Sequence, residues 1–231
     1  MKTIGFVGAC DKTDLILNVA KILHMAKNKI LIVDGTTLQQ MRYIVPVIKP
    51  TMSYLTTFEN IDVAVGFDSL EDIKKYFGAN DLETFGYDIM IVDCDRLETY
   101  EGYNLKTAGK FFVTNFGPYS VRRGLELLKS VKEPVDAKKI LFSRYMTEEE
   151  DQYLTFISAN TNITWHQDKI YFPTEEGDIH INLENQMSER IKFKELSESY
   201  KEGVLRLCMS ILGKQTFDSE IKRIMRELER G

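Results

Sequence analysis

The residues whose types and spacing suggest chemistry lie where the first apolar run of the chain ends. Thr3–Gly8 reads as a buried strand, and Lys12-Thr13 follow it at the start of a helical pattern. A strand–loop–helix segment with Lys-[Ser/Thr] at its turn can hold a nucleotide triphosphate. Backbone N–H groups surround the phosphates, the lysine reaches the outer ones, and the hydroxyl binds Mg²⁺. The segment therefore predicts a phosphate-binding loop.

This loop departs from the G-x-x-x-x-G-K-[ST] pattern at two positions. Phe6 stands where the first glycine should be, and Asp11 replaces the glycine before Lys12. A carboxylate about 4 Å from a phosphate charge costs about 1 kcal/mol in water, and a side chain there distorts a cradle that glycine permits. If triphosphate still binds, Asp11 either points outward or pairs with Lys12. We expect weak or absent binding by the loop residues Gly8, Ala9, Cys10, Asp11, Lys12 and Thr13.

Composition restricts the class of protein. The 231 residues carry a net charge of −5, which argues against a broadly basic surface, so nucleic acid is not an expected partner. Cys10, Cys94 and Cys208 are far apart and lack the spacing of a metal site, which is typical of a reducing cytoplasm. No apolar run approaches the roughly 20 residues of a membrane-spanning helix. We expect a cytoplasmic protein in which residues 1–231 form one domain.

Buried strands and amphipathic helices alternate along the chain. After the first strand, further strands are predicted at Lys29–Asp34, Tyr87–Asp93, Lys110–Thr114 and Lys138–Phe142, with shorter ones at Ile170–Phe172 and Ile179–Asn182. Helices are predicted at Asp14–Ala26, Ser69–Phe77, Ser120–Lys132, Glu148–Ala159, Phe193–Leu212 and Phe217–Glu229. A long excursion with a hairpin is expected across residues 42–62. This alternation predicts an α/β fold, a doubly wound and mainly parallel sheet with helices on both faces.

Two aspartates end buried strands of this predicted sheet. Asp34 follows Ile-Leu-Ile-Val, and Asp93 follows Ile-Met-Ile-Val. Carboxylates at the C-terminal ends of parallel strands face the crevice where such sheets bind ligands. Asp93 could therefore help Thr13 to position Mg²⁺, and the alternative is a strand-end aspartate that caps the next loop. Asp95 is either a metal contact or a loop carboxylate.

Four blocks, in this order, resemble the MinD/ParA-like branch of the P-loop ATPases. They are Lys12-Thr13 with the strand ending at Asp34, then Tyr87–Asp93, Phe112–Leu128 and Ile140–Met146, spread over roughly residues 1–215. The chain also departs from that family. Val7 replaces the signature lysine that reaches across a dimer to the partner's phosphates, and Gly35 follows Asp34 where the family usually continues to a second aspartate.

The resemblance implies roles for the site residues. Lys12 would neutralise phosphate charge, Thr13 and Asp93 would hold Mg²⁺, and a water near Asp34 would attack the γ-phosphate of ATP. Arg144 would lie near the nucleotide base, and its alternative role is a structural ion pair. The departures favour an accessory or positioning protein of a bacterial assembly, of secretion, pilus or division type, with weak or no hydrolysis. The alternative is an active Mg-ATP-dependent ATPase that dimerises.

The segment 214–231 reads as a C-terminal amphipathic helix. MinD-type proteins end in a basic membrane-binding helix, but here acidic and basic residues are nearly balanced. Docking to a protein partner or packing against the chain's own core is therefore favoured over peripheral membrane contact.

Overall fold

Eight strands pair into one sheet within the part of the chain that the computed structural model describes, residues 1–47, 51–78, 86–143, 147–213, 223–224 and 226–228. The strands are β1 (Lys2–Val7), β2 (Ile30–Asp34), β3 (Tyr54–Phe58), β4 (Ile61–Val65), β5 (Ile89–Cys94), β6 (Gly109–Thr114), β7 (Val135–Ser143) and β8 (Ile163–Pro173). Their order is β3-β4-β2-β5-β1-β6-β7-β8, and every neighbouring pair is parallel except β3 with β4.

Helices cover both faces of this sheet. They are α1 (Thr13–Met25), α2 (Leu70–Phe77), α3 (Leu97–Gly102), α4 (Pro118–Ser130), α5 (Glu148–Ile157), α6 (Glu176–Ser188) and α7 (Glu198–Leu212). Side chains of β2 alternate between two apolar clusters: Ile30 and Ile32 belong to the cluster that contains α1 and α7, and Leu31 and Val33 to the cluster of α2 to α5. Burial on both faces explains why the strands read as continuous apolar runs. The predicted doubly wound α/β fold is confirmed.

The expected hairpin is formed by β3 and β4. Its turn is made by Glu59 and Asn60, which both adopt positive φ (47° and 65°), as the hairpin turns that match strand twist require. The sequence pattern did not predict that β4 would also pair in parallel with β2 and so extend the main sheet.

The predicted strand at Ile179–Asn182 is wrong, because these residues lie in the middle of α6. This helix buries polar side chains and exposes apolar ones, so its pattern of hydrophobicity did not indicate a helix packed on a core. The predicted piece Ile170–Phe172 is the end of the longer strand β8. The helix expected from Phe193 begins instead at Glu198, where the Ser197 hydroxyl accepts the N–H of Tyr200 and caps it.

Most of the predicted C-terminal helix lies outside the described residues. Residues 223–224 and 226–228 are helical, and Ile224 is completely buried in the cluster that contains α1 and α7. Arg223 Nη1 lies 2.8 Å from Glu227 Oε1, one helical turn away. The contact of Ile224 agrees with packing against the chain's own core. Among the described helices, none has the length and apolar character needed to cross a bilayer.

Candidate functional site

The loop between β1 and α1 approaches the backbone of β6 closely. A Cβ atom on Gly8 would lie 2.1 Å from the carbonyl oxygen of Val113, so only glycine fits there. The Gly8 N–H donates to the carbonyl of Cys94 at the end of β5 (3.0 Å). The strands on either side of β1 therefore fix where the loop leaves the sheet.

Lys12 is folded back into this loop. Its side chain is buried, with 2% of the residue exposed, and Nζ donates to the carbonyl oxygens of Gly8 (2.8 Å) and Cys10 (2.9 Å). The same nitrogen lies 2.9 Å from Oδ1 of Asp93, the aspartate near the end of β5. Nζ thus makes two hydrogen bonds to backbone carbonyls and one ion pair with Asp93.

Asp11 takes a position that neither sequence alternative described. Its Oδ1 accepts the backbone N–H of Thr13, the first residue of α1, at 2.9 Å. With the side-chain amide of Gln40 oriented so that its nitrogen faces Asp11, that nitrogen lies 2.7 and 2.8 Å from the two carboxylate oxygens. A helix N-terminus is where a phosphate group binds in a phosphate loop. Here a carboxylate of the chain itself occupies that anion position.

Burial dominates the ionisation of Asp93. It raises the pKa of this carboxyl to about 7, Lys12 opposes the rise, and the nearby charge of Asp34 adds to it. Burial also disfavours the charged form of Lys12, but Asp93 and the other acidic groups nearby together outweigh it, so the pKa of the amine is raised. The pKa of the Cys10 thiol is raised by burial, although Lys12 opposes this, so Cys10 is not a thiolate near neutral pH.

Asp34 stabilises the loop that follows β2 through hydrogen bonds. It lies beside Asp93 in the register of β2 and β5 and is buried. Its Oδ1 accepts the N–H (3.1 Å) and hydroxyl (2.6 Å) of Thr36, and its Oδ2 accepts the N–H of Met41 (3.0 Å). Asp95 likewise accepts the N–H (2.9 Å) and hydroxyl (3.1 Å) of Thr37. Both carboxylates thus accept hydrogen bonds from the backbone of the loop next to the site.

The crevice between Lys12 and Asp93 is small, and a separate, larger cavity also reaches Asp11, Lys12 and Gln40. A crevice of about 60 Å³ is lined by Ala9, Cys10, Asp11, Lys12, Thr13, Thr36, Leu38, Gln40, Asp93 and Asp95. Ligand pockets usually measure hundreds of Å³. Lys12 is the basic residue of this lining, against three aspartates, and no cluster of three His, Cys, Asp or Glu side chains in the described part of the chain suits a metal ion. Because the Lys12 ammonium is already paired with Asp93 and the Thr13 N–H already bonds Asp11, the residues in this arrangement do not fit a magnesium-bound triphosphate.

The structure brings together most of the predicted site residues. The loop residues from Gly8 to Thr13 surround Lys12, Asp93 contacts it, and Thr13 lines the same crevice. Arg144 lies outside the described residues. Gln40 was missed, because nothing in the sequence links it to Asp11, 29 positions earlier. The signal that could have found it is physical: a carboxylate at a glycine position needs a hydrogen-bond donor.

Comparisons with known proteins identify the fold. No protein-family model matches the chain, and no curated protein matches its sequence. The solved structure of the MinD cell division protein of Aquifex aeolicus is similar, with a TM-score of 0.62 and 16% identity over 94% of this chain and 99% of that one. A ParA family ATPase from Chlorobium tepidum TLS gives a TM-score of 0.57 and 16% identity over 90% and 98%.

A third similar structure is a Cyanothece McdA variant in complex with ATP, with a TM-score of 0.57 and 12% identity over 95% of this chain and 99% of that one. Identities this low carry information on the fold and not on the activity. Together with the sheet order and the position of the loop between β1 and α1, they show that this chain has the MinD/ParA-like P-loop ATPase fold.

Proposed function

We propose that this protein is an accessory or positioning protein of a bacterial assembly, of secretion, pilus or division type, with weak or no nucleotide hydrolysis. Residues 1–231 would act as one cytoplasmic domain that docks to protein partners. The observation that carries the proposal is the Asp11 carboxylate on the N–H of Thr13, at the anion position of the loop.

A triphosphate would have to displace contacts that the loop already makes. Asp11 would have to leave the Thr13 N–H and Gln40, and Lys12 would have to exchange Asp93 for a phosphate. Hydrogen bonds to charged groups contribute about 1.5–3 kcal/mol each. A polyanion would also enter a crevice that already holds more carboxylates than ammonium groups, which adds repulsion. These terms favour the loop in its present arrangement.

The second candidate is a Mg-ATP-dependent dimerising ATPase. It is supported by the similar structures, which include an McdA variant with ATP and MinD of Aquifex aeolicus in complex with MinC. This candidate requires Asp11 and Gln40 to move away from the helix N-terminus, so that Lys12, Thr13 and Asp93 could hold the nucleotide and its metal. Val7 offers no ammonium group to a partner's phosphates, which favours the first candidate.

Calorimetric titration with Mg-ATP and Mg-ADP separates the two candidates. We expect no binding by the wild type and micromolar binding by Asp11→Gly, with Asp11→Gly/Lys12→Ala as the control that loses it again. Thermal melting of each variant verifies that it is folded. Micromolar ATP binding by the wild type would overturn the proposal. Turnover that is present in the wild type and absent in Lys12→Ala would establish the ATPase.

A further inference from the structure

Helix α6 has an inverted distribution of polarity. Asp178, Asn182 and Asn185 are buried on the face that packs against the protein. Each has a partner there: Asp178 accepts the N–H and hydroxyl of Ser197 (both 2.7 Å), Asn182 accepts the amide of Asn18 (3.2 Å), and Asn185 accepts the N–H of Lys192 (2.9 Å). Hydrogen bonds of buried polar side chains therefore hold this face of α6, together with Ile181, which packs against the apolar cluster of α1 and α7.

The opposite face of α6 carries apolar side chains in contact with water. Ile179, Leu183 and Met187 are spaced four residues apart, so they form one line along the helix, called here the apolar stripe. Their exposed fractions are 48%, 53% and 87%. Single exposed apolar residues are common, but an aligned set on a helix whose core face is polar is typical of a binding surface.

A cavity of about 490 Å³ opens beside the stripe. Ile179 and Leu183 line it from α6, and Leu15 lines it from α1. The remaining apolar part of its wall is contributed by Tyr43, Ile44, Phe142, Pro173 and Tyr200. This volume is within the range of sites that accept large side chains or small ligands.

The polar part of the cavity wall is acidic. Asp11 and Asp14 line it at the start of α1, and the ammonium of Lys12 is already paired with Asp93. The Asp14 carboxylate accepts a hydrogen bond from the amide of Gln186 (2.8 Å). Burial raises the pKa of Asp14 to about 6, although Gln186 opposes this, so the carboxylate lacks the solvation it would have in water. A cation brought to this point would be favoured.

We propose that the cavity and the apolar stripe form the docking site for an amphipathic, basic helix of a partner protein. The helix inserts an apolar side chain between Leu15 and Leu183 and places a Lys or Arg against Asp11 and Asp14. The inference rests on the proposed function, since the cavity lies beside the phosphate loop and is available to a protein partner when no nucleotide is bound. Binding of an apolar helix face in a groove, with anchors one turn apart, is a common recognition mode.

Charge excludes two other occupants of the site. A second copy of this chain, docked through the same face, would bring a second set of the Asp11 and Asp14 carboxylates to the shared interface. An anionic membrane surface would be repelled by the same carboxylates. A helix with lysine or arginine beside its apolar face matches both the cavity and its charge.

The experiment uses methyl-labelled protein of residues 1–231 in NMR and a synthetic Leu–Lys amphipathic helix of about 14 residues as the probe. We expect saturable shifts at the methyl groups of Leu15, Ile44, Ile179 and Leu183. A peptide with Glu in place of Lys should bind at least about tenfold more weakly, because its charges are reversed. Absence of shifts, or shifts mainly on the other face of the sheet, would overturn the proposal.

Variants test the two parts of the site separately. Leu183→Gln and Asp14→Asn should each lower the affinity for the Leu–Lys peptide by about tenfold, which is the effect of losing one good contact. Phe156→Gln is the control, because Phe156 is also an exposed apolar residue on a helix but lies on α5, across the sheet. Equal affinities of Leu183→Gln and Phe156→Gln would contradict the proposal. NMR shifts of the apolar stripe that appear when the protein concentration alone is raised would also contradict it, since they would indicate that a second copy of the chain binds there.

Addition of Mg-ATP to the same samples keeps the two proposals distinguishable. ATP shifts at the loop with peptide binding retained would overturn the proposed function and leave the docking site standing. No ATP shifts and no peptide binding would overturn the docking site alone.

Discussion

Lys12 Nζ lies 2.9 Å from Asp93 Oδ1, and both residues are only 2% exposed. The pair joins the loop before α1 to the end of β5 in the interior of the protein. Charges in such a place are expensive to bury, and each is stable there because the other is present. The sequence suggested that Lys12 neutralises a phosphate, and in this structure the Asp93 carboxylate is the anion that pairs with it.

Lys12→Ala should destabilise the protein by about 3–5 kcal/mol at pH 8, the typical cost of leaving a buried charge without its partner. The cost should be smaller at pH 6, because the pKa of Asp93 is about 7 with Lys12 present and rises further without it, so at pH 6 the carboxyl of the variant holds a proton and carries no unpaired charge. Urea unfolding at the two pH values measures both effects. Lys201→Ala is the control, since its partner Glu198 is exposed, and it should change stability by less than about 1 kcal/mol. A cost that is the same at both pH values would contradict this view.

Asp14→Asn should stabilise the protein at neutral pH relative to acid pH. Burial raises the pKa of Asp14 from 3.8 to about 6, so the native state binds more protons than the unfolded chain between these values. The stabilisation of the native state by this group is therefore complete below pH 4 and is lost as the pH rises through 6. The free energy of unfolding of Asp14→Asn minus that of the wild type should rise by up to about 3 kcal/mol between pH 4 and pH 7.5. A difference that stays constant with pH would contradict the assignment.

The sheet could be predicted because each of its central strands is a continuous apolar run in the sequence. Ile30 to Val33 are buried on alternating faces, so the run is apolar throughout, and a carboxylate ends it at Asp34. Helix α6 could not be predicted in the same way. Asp178 and Asn182 form hydrogen bonds on its inner face. A periodic pattern of apolar residues, which is the usual sequence signal of a packed helix, does not indicate such bonds.

The state of the phosphate loop also could not be derived from the motif alone. Asp11 at a glycine position indicated that the loop was altered, but its carboxylate is held by Gln40, which lies in the 3₁₀ turn after β2. Such a contact depends on how Asp34 folds that turn through Thr36 and Met41. Contacts between loops of this kind appear only in three dimensions.

Asp11 and Gln40 should show energetic coupling. Asp11→Ala removes the acceptor for the Thr13 N–H and should cost about 1 kcal/mol, the usual value for a lost helix cap. Gln40→Ala should cost less, and the double variant should cost less than the sum of the two single ones, by about 0.5 kcal/mol or more. Urea denaturation of the four proteins measures the cycle. Strict additivity would show that the amide and the carboxylate do not interact in solution.

Gly8→Ala should destabilise the protein although it adds only a methyl group. The new Cβ would meet the carbonyl oxygen of Val113 at 2.1 Å, and backbone cannot move aside as a flexible side chain can. Overpacking of this kind costs about 1–3 kcal/mol. Gly177→Ala in the first turn of α6 is the matched control. It has open space around its Cβ and should stabilise the protein slightly, because alanine favours the helix by up to about 1 kcal/mol. Thermal melting of both variants measures the contrast. If both variants lowered the melting temperature equally, that result would contradict the close contact between the loop and β6.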